Sequence, residues 1–396
     1  MKNHSIVRLL TVVLLCVLGV ASVKGQGNNF GLGNTEEADM TSLTSRLFNL
    51  EERSKFFQVY LNFRGGFDEK MDGDEVGGRI FASHIRPEFL GEIGRWGYRI
   101  RLNLSGSHDV DSADDTNNVI DIARIFYTTK NNWSFSFGKS ALDYGTFEFD
   151  WNPVHVLDYF EFQSYQPDAC ATSATVGYET HKQLFNFEVA NANTLSALSN
   201  SPKGQTLYPK TKHLFQYSLS WRGSLLDDRL KTAWSYTLRN EAKNCMTNLV
   251  MLGVGYTMGK FEVQVDYNGS FGKLDYLGLA TYDAISAGLI DDDEMATGTH
   301  YQQWLADLAY RPTKRWNLFA KLGINSSSAS SIKQLHHYRQ TYEYTVAAQY
   351  FLDKEQDMRI SLGYFGKNTH FKESVGLNDY GTNRIELSLV CRLKIL

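Results

Sequence analysis

From Lys55 onward, apolar and polar residues alternate with a period of two, the pattern of strands whose two faces meet different surroundings. Phe57, Val59, Leu61 and Phe63 alternate with Gln58, Tyr60 and Asn62, and Tyr98, Ile100, Leu102 and Leu104 with Arg99, Arg101 and Asn103. The rhythm returns at Trp133/Phe135/Phe137, Phe185/Phe187/Val189, Phe215/Tyr217/Leu219/Trp221 and Leu230/Thr232/Trp234/Tyr236/Leu238. It continues at Phe261/Val263/Val265/Tyr267, Trp316/Leu318/Ala320/Leu322/Ile324, Tyr342/Tyr344/Val346/Ala348/Tyr350, Met358/Ile360/Leu362/Tyr364 and Ile385/Leu387/Leu389/Cys391/Leu393/Ile395. Weaker stretches near 79–92, 119–128, 171–179, 248–257 and 300–310 raise the count to about sixteen strands. Each is near the ~10 residues that cross a bilayer at a tilt. Helical periodicity is nearly absent.

The connections alternate in length. Short ones at 93–97, 129–132, 179–183, 223–228, 258–260, 311–314 and 351–356 interleave with long ones at 65–78, 106–118, 139–170, 192–212, 240–247, 269–299, 325–339 and 366–383. A soluble sandwich gives no reason for this, whereas a barrel with one rim in the periplasm and the other outside does. The pattern therefore predicts an all-β, transmembrane antiparallel β-barrel of about 16 strands. Lipid offers no partners for backbone groups, so the last strand must pair with the first. Pro87 removes a ladder donor and predicts a bulge or a displaced strand boundary.

Ahead of the barrel, Lys2 and Arg8 precede the apolar run Leu9–Val20, and Val23-Lys24-Gly25 suits a cleavage site. Residues 1–25 thus read as a secretory signal peptide. Residues 26–54 read as a periplasmic extension with a short coiled-coil-like helix, because Met40, Leu43, Leu47 and Leu50 fall at a/d spacing. An amphipathic helix capping the periplasmic mouth fits the same stripe. The barrel then occupies 55–396. Cutting after Gly25 removes three basic residues and no acid, leaving 37 basic against 44 acidic side chains and a net charge of −7. That balance argues against a nucleic-acid partner. The remaining cysteines, Cys170, Cys245 and Cys391, show neither CxxC nor zinc spacing. A disulfide between Cys170 and Cys245, both on the external side, stays open, and Cys391 shares the lipid-facing phase of Leu389 and Leu393.

Four segments carry a family likeness: His84-Ile85-Arg86-Pro87-Glu88-Phe89-Leu90-Gly91-Glu92, Trp96-Gly97-Tyr98-Arg99-Ile100-Arg101-Leu102, Ile120-Asp121-Ile122-Ala123-Arg124-Ile125-Phe126-Tyr127 and Trp133-Ser134-Phe135-Ser136-Phe137-Gly138-Lys139. Together with Tyr144-Gly145-Thr146-Phe147-Glu148-Phe149-Asp150-Trp151-Asn152-Pro153-Val154, they resemble the phosphate-selective porin O/P family. The motif-bearing likeness spans about residues 80–160. It implies a 16-stranded trimeric channel in the outer membrane of a Gram-negative bacterium, with a third loop folded into the pore. Ser140-Ala141-Leu142 departs from the glutamine- and proline-containing segment of many members.

Face assignment follows from the cost of a charge in lipid, about 2–4 kcal/mol for a mid-strand arginine. Arg124 must therefore face the lumen, with Asp121 in the opposite phase near a rim. The same rule turns Arg86, Arg99, Arg101, Arg222, Lys231, Arg239, Lys321, Arg359, Arg384 and Arg392 inward, opposed by Glu88, Glu188, Glu262, Asp266, Asp307, Glu343 and Glu386. The loop 139–170 bears Asp143, Glu148, Asp150, Asp158, Glu161 and Asp168. Folded inward, it would set Asp143, Glu148, Asp150, Asp158 and Glu161 across a constriction from Arg86, Arg99, Arg101 and Arg124, a transverse field that filters ions and orients dipoles.

Acidic runs in other loops, such as Asp291-Asp292-Asp293-Glu294, read as solvated surface or as sites for divalent cations between the protein and lipopolysaccharide phosphates. His336-His337 reads as solvated. No catalytic motif is present, and Ser83 and His84 fall on opposite strand faces, so the expectation is no enzyme and no cofactor. The sequence thus supports a passive porin for small hydrophilic solutes, mildly preferring anions, with phosphate a candidate, acting as a homotrimer among outer-membrane lipid and lipopolysaccharide. A non-conducting structural or adhesive barrel and an outer-membrane barrel enzyme are the rivals.

Overall fold

The computed structural model describes residues 56–72, 75–105, 119–354 and 357–396. The signal peptide, the 26–54 extension with its heptad stripe, and the acids at 109–115 lie outside these residues. Sixteen strands follow one another: β1 (Gln58–Asp72), β2 (Glu75–Ile93), β3 (Trp96–Leu102), β4 (Ile120–Thr128), β5 (Trp133–Ala141), β6 (Cys170–Thr180), β7 (Gln183–Asn191) and β8 (Phe215–Leu225). The second half comprises β9 (Leu230–Ala242), β10 (Cys245–Met258), β11 (Phe261–Gly272), β12 (Thr299–Thr313), β13 (Trp316–Ala329), β14 (Arg339–Asp353), β15 (Met358–Phe371) and β16 (Tyr380–Lys394). Each pairs with its chain neighbours, and β16 closes on β1 from Tyr60↔Lys394 to Asp72↔Thr382. Closure satisfies the edge strands that lipid would leave unpaired.

Burial is inverted relative to a soluble protein. Outward side chains such as Phe137, Leu219, Leu322 and Leu362 are exposed, while inward Gln216, Thr237, Arg239 and Gln303 are buried. At the short-turn ends, rings pair across strands: Trp96–Tyr127 at 4.8 Å, Trp133–Tyr178 at 4.9 Å, Phe261–Tyr310 at 4.4 Å and Trp316–Tyr350 at 5.0 Å between centroids. These form part of the interfacial girdle expected of such barrels. His181 and Lys182, both with positive φ, make the two-residue turn that matches strand twist between β6 and β7.

Two expected long loops are instead strand. β1 and β2 continue out to Asp72 and Glu75, and β9 and β10 meet across Lys243 and Asn244. Glycines and charges interrupt the alternation there (Gly65, Gly66, Asp68, Glu69 and Lys70 on β1, Gly77, Gly78 and Arg79 on β2, Asn240 and Glu241 on β9), so periodicity could not reveal them. Pro87 sits inside β2 opposite Leu61. Ile85 O accepts from Leu104 N on the β3 side, so by alternation Pro87 turns toward β3 where that ladder ends; the registered β2–β3 pairs begin at Glu88↔Arg101. The bulge lies nearby, at Arg64/Gly65 opposite Ser83.

Several external loops fold into the barrel mouth and pack a core there. Leu195, Leu198, Leu274, Tyr276, Leu279, Leu335, Tyr338 and Val375 join Tyr144 and Phe162 in one buried cluster. Cys170, Cys245 and Cys391 are free thiols, so the disulfide left open by the sequence is absent. Cys391 is buried.

Candidate functional site

The loop between β5 and β6 does enter the lumen. Its neck is tied by Leu142 N to Ala169 O (3.1 Å), by the Tyr144 hydroxyl donating to Asp168 O, and by Asp168 against Arg239. Gly145 adopts φ +102 and donates to Ser235 Oγ at 2.9 Å; a Cβ there would lie 2.2 Å from the Phe149 ring. The chain then crosses toward the far wall.

Acids and bases lock it in place. In the short helix Phe147–Asp150, Glu148 pairs with Lys321, and Asp150 takes both Nε and Nη2 of Arg222 at 2.6 and 3.0 Å. Arg64 donates to Val156 O (2.7 Å), Leu157 O (2.6 Å) and Glu386 (2.7 Å). Asp158 meets Arg384 at 2.8 Å, and Glu161 takes Arg339 at 2.7 Å and Lys367 at 2.8 Å. Asp143 accepts from Ser220 Oγ at 2.8 Å. Burial pushes the carboxyls of Glu148, Asp150 and Asp158 above their ordinary range, against the pull of Lys321, Arg222 and Arg384 respectively. His155 is held down to about 4 by burial and is therefore neutral at pH 7. Its Nδ1 accepts from Arg359 Nη2 (2.8 Å), which leaves Nε2–H to donate to Asp357 (3.2 Å).

This pairing differs from the expected one. Loop carboxylates do not bond to the early arginines; the cations they take stand on β8 (Arg222), β13 (Lys321), β14 (Arg339), β15 (Lys367) and β16 (Arg384). Those arginines have wall partners instead. Arg99 meets Glu88 at 2.6 Å, while Arg86 and Arg101 share Asp121 at 3.5 and 3.4 Å. Arg124 stacks at 5.8 Å over Phe126 and makes no ion pair among the described residues. Asp121, expected near a rim in the outward phase, is turned inward by the register shift where Arg101 faces Ile122 and Leu102 faces Ile120. A single extra residue reverses a face, which a strict period of two cannot anticipate.

Two cavities flank the loop. The outer one, about 740 Å³, is lined by Lys70, Arg79, Asp158, Glu161, Lys367 and Arg384 among others. The inner one, about 100 Å³, is lined by Glu148, Asp158, Glu262, Asp307, Lys321 and Arg359 among others. Asp158 lines both, which puts it at the partition. Arg86, Arg99, Arg101, Arg124, Asp143 and Asp150 line neither.

Among the described residues no group of His, Cys, Asp and Glu is arranged to hold a metal ion. The Lys203 ammonium already sits among Asp291, Asp293 and Glu294, at 3.7, 3.0 and 3.2 Å. Ser83 and His84, expected on opposite faces, touch at 3.0 Å (Oγ to Nδ1) because the β2 bulge falls there. No carboxylate orients that imidazole among the described residues, so the arrangement lacks the third member of a hydrolytic triad.

The structure is similar to solved outer-membrane proteins. The outer membrane channel DcaP of Acinetobacter baumannii aligns with TM-score 0.59 and 12% identity, over 85% of this chain and 97% of its own. Outer-membrane OmpT of Vibrio cholerae gives 0.53 and 11%, over 86% and 99%. An anion-selective porin from Comamonas acidovorans gives 0.53 and 8%, over 85% and 100%. No curated protein sequence matches. The family described as phosphate-selective porin O and P matches residues 57–391, nearly the whole barrel. A closed sixteen-strand barrel with an inward loop, matched along almost all its strands, belongs to the phosphate-selective porin O and P family of diffusion channels in the outer membrane of Gram-negative bacteria.

Proposed function

We propose that this channel passes small hydrophilic solutes with a mild preference for anions, phosphate among them, as a homotrimer. One observation carries the preference. The lumen face of β2–β4 sets four arginines, Arg86, Arg99, Arg101 and Arg124, against two carboxylates, Glu88 and Asp121. Four of the five loop carboxylates expected to oppose them are instead occupied by Lys321, Arg222, Arg384 and Arg339, and the fifth, Asp143, accepts from Ser220 Oγ. Acids on the external loops lie in water, where charges more than ~8 Å away act weakly at physiological salt. The nearer arginines dominate the field on a passing ion.

In a planar bilayer the protein gives stepwise conductance, in groups of three, with a reversal potential in a KCl gradient on the anion side. Arg99→Glu with Arg101→Glu moves it toward cations, and added phosphate lowers chloride current in the wild type. A cation-selective wild type unmoved by the arginine reversals refutes the assignment. A second reading, a non-conducting barrel displaying its loops to a partner, draws on the apolar core packed in the mouth. Absence of conductance steps from a folded, heat-modifiable sample favours it.

A further inference from the structure

The inner cavity beneath the loop has a chemistry opposite to that of the β2–β4 wall. Asp307 is 4% exposed and lines the cavity, and neither of its carboxylate oxygens has a hydrogen-bond partner among the described residues. Its neighbour across the β11–β12 ladder is Gln264, 3% exposed, whose Oε1 is likewise unpartnered. Glu262, two residues along the same face, lines the same space with Oε1 unpartnered; its Oε2 is 3.8 Å from Arg311.

The cation that register would give Asp307 is Lys321, directly opposite on β13. The Lys321 ammonium is drawn instead to the loop, where it meets Glu148 and donates to Asp158 O at 2.9 Å. Asp307 is thereby left as a buried acceptor aimed into a cavity. Such groups are costly to leave unsatisfied, so an arrangement of several of them around one space is suited to a donor from outside.

We propose that this cavity is a binding site for the ammonium group of a small amine-bearing solute in transit. An ammonium has three donors and no acceptor, matching the unpartnered oxygens of Asp307, Glu262 and Gln264. A divalent metal is the poorer match, because no cluster of ligands with metal-holding geometry exists among the described residues. Arg359 lines the other side of the cavity, on β15, three strand spacings or roughly 14 Å around the wall from β12. A solute with both an amine and a carboxylate is thus oriented amine first toward Asp307. The site is independent of the anion preference assigned to β2–β4.

The test uses ethylammonium chloride as the probe against single-channel KCl current of the full barrel at pH 7. The expected result is saturable block, weakened at least tenfold by Asp307→Asn and separately by Glu262→Gln, the second variant serving if the first fails to fold. Arg99→Glu shifts the reversal potential while leaving the block in place. Absence of saturable block, or block unchanged in either folded variant, overturns the proposal. So does stronger block by magnesium than by ethylammonium at equal concentration, which would make this a divalent-cation site.

Discussion

Replacing Lys321 by methionine removes the only charge bonded to the Glu148 carboxylate among the described residues while keeping an aliphatic stem against the Phe160 ring, over which the ammonium sits at 4.0 Å. Glu148 is 1% exposed and the Lys321 side chain 2% exposed, so the narrow cavity both line offers little water to take the lysine's place. The orphaned carboxylate relieves its burial chiefly by binding a proton. An ordinary glutamate titrates at 4.5. Holding it protonated at pH 7 therefore costs about 2.5 units at 1.36 kcal/mol each, roughly 3.4 kcal/mol, which bounds the electrostatic loss.

The sign follows from linkage. In the variant the folded state holds a proton that the unfolded state releases above 4.5, so its stability rises as pH falls from 7. The difference from wild type shrinks by ~1.4 kcal/mol per pH unit until wild-type Glu148 itself protonates. Reversible urea unfolding in detergent, followed by tryptophan fluorescence at several pH values, measures it. The double variant Glu148→Gln with Lys321→Met recovers most of the loss, since a buried pair replaced by neutral groups is often near-neutral. A single-variant loss that does not change with pH, or a double variant as unstable as the single, would refute the view that this ion pair anchors the loop.

Acidification shifts the reversal potential further toward anions. Burial has raised Glu148, Asp150 and Asp158, so they begin to protonate above the ordinary carboxylate range and leave Lys321, Arg222 and Arg384 uncompensated. Their contribution to stability grows as pH falls through those raised values and is lost as pH rises, so selectivity changes without acid unfolding at these three groups; a titration of both quantities checks this. Gly145→Ala combines a backbone strain of about 1–3 kcal/mol with overlap on Phe149 and is expected to loosen the loop, read as increased current noise and a lower unfolding midpoint. Deleting residues 28–53 leaves insertion and single-channel conductance intact while weakening oligomers, as native gels report; failure to insert would place that segment in the barrel.

The sequence alone carried the architecture, and the reason is physical. Lipid outside and water inside impose opposite demands on successive residues, so the period of two is written wherever a strand crosses the membrane, as in Phe261–Tyr267 and Trp316–Ile324. The inward sense of Arg124, Lys321 and Arg392 followed from the cost of a charge in lipid. Where glycines and charges interrupt that alternation, as in the outer halves of β1, β2 and β9, strand was invisible. What the tertiary structure alone decided was pairing. Glu148 and Lys321 lie 173 residues apart, and Asp150 and Arg222 meet only because the loop crosses the lumen rather than lying beside β2–β4. The bulges at Asp121 and Ser83 each reverse one side chain, a change of a single residue in register that no alternation pattern records. The same crossing takes Lys321 away from Asp307, and with it determines which carboxylate in the channel is left to meet a solute.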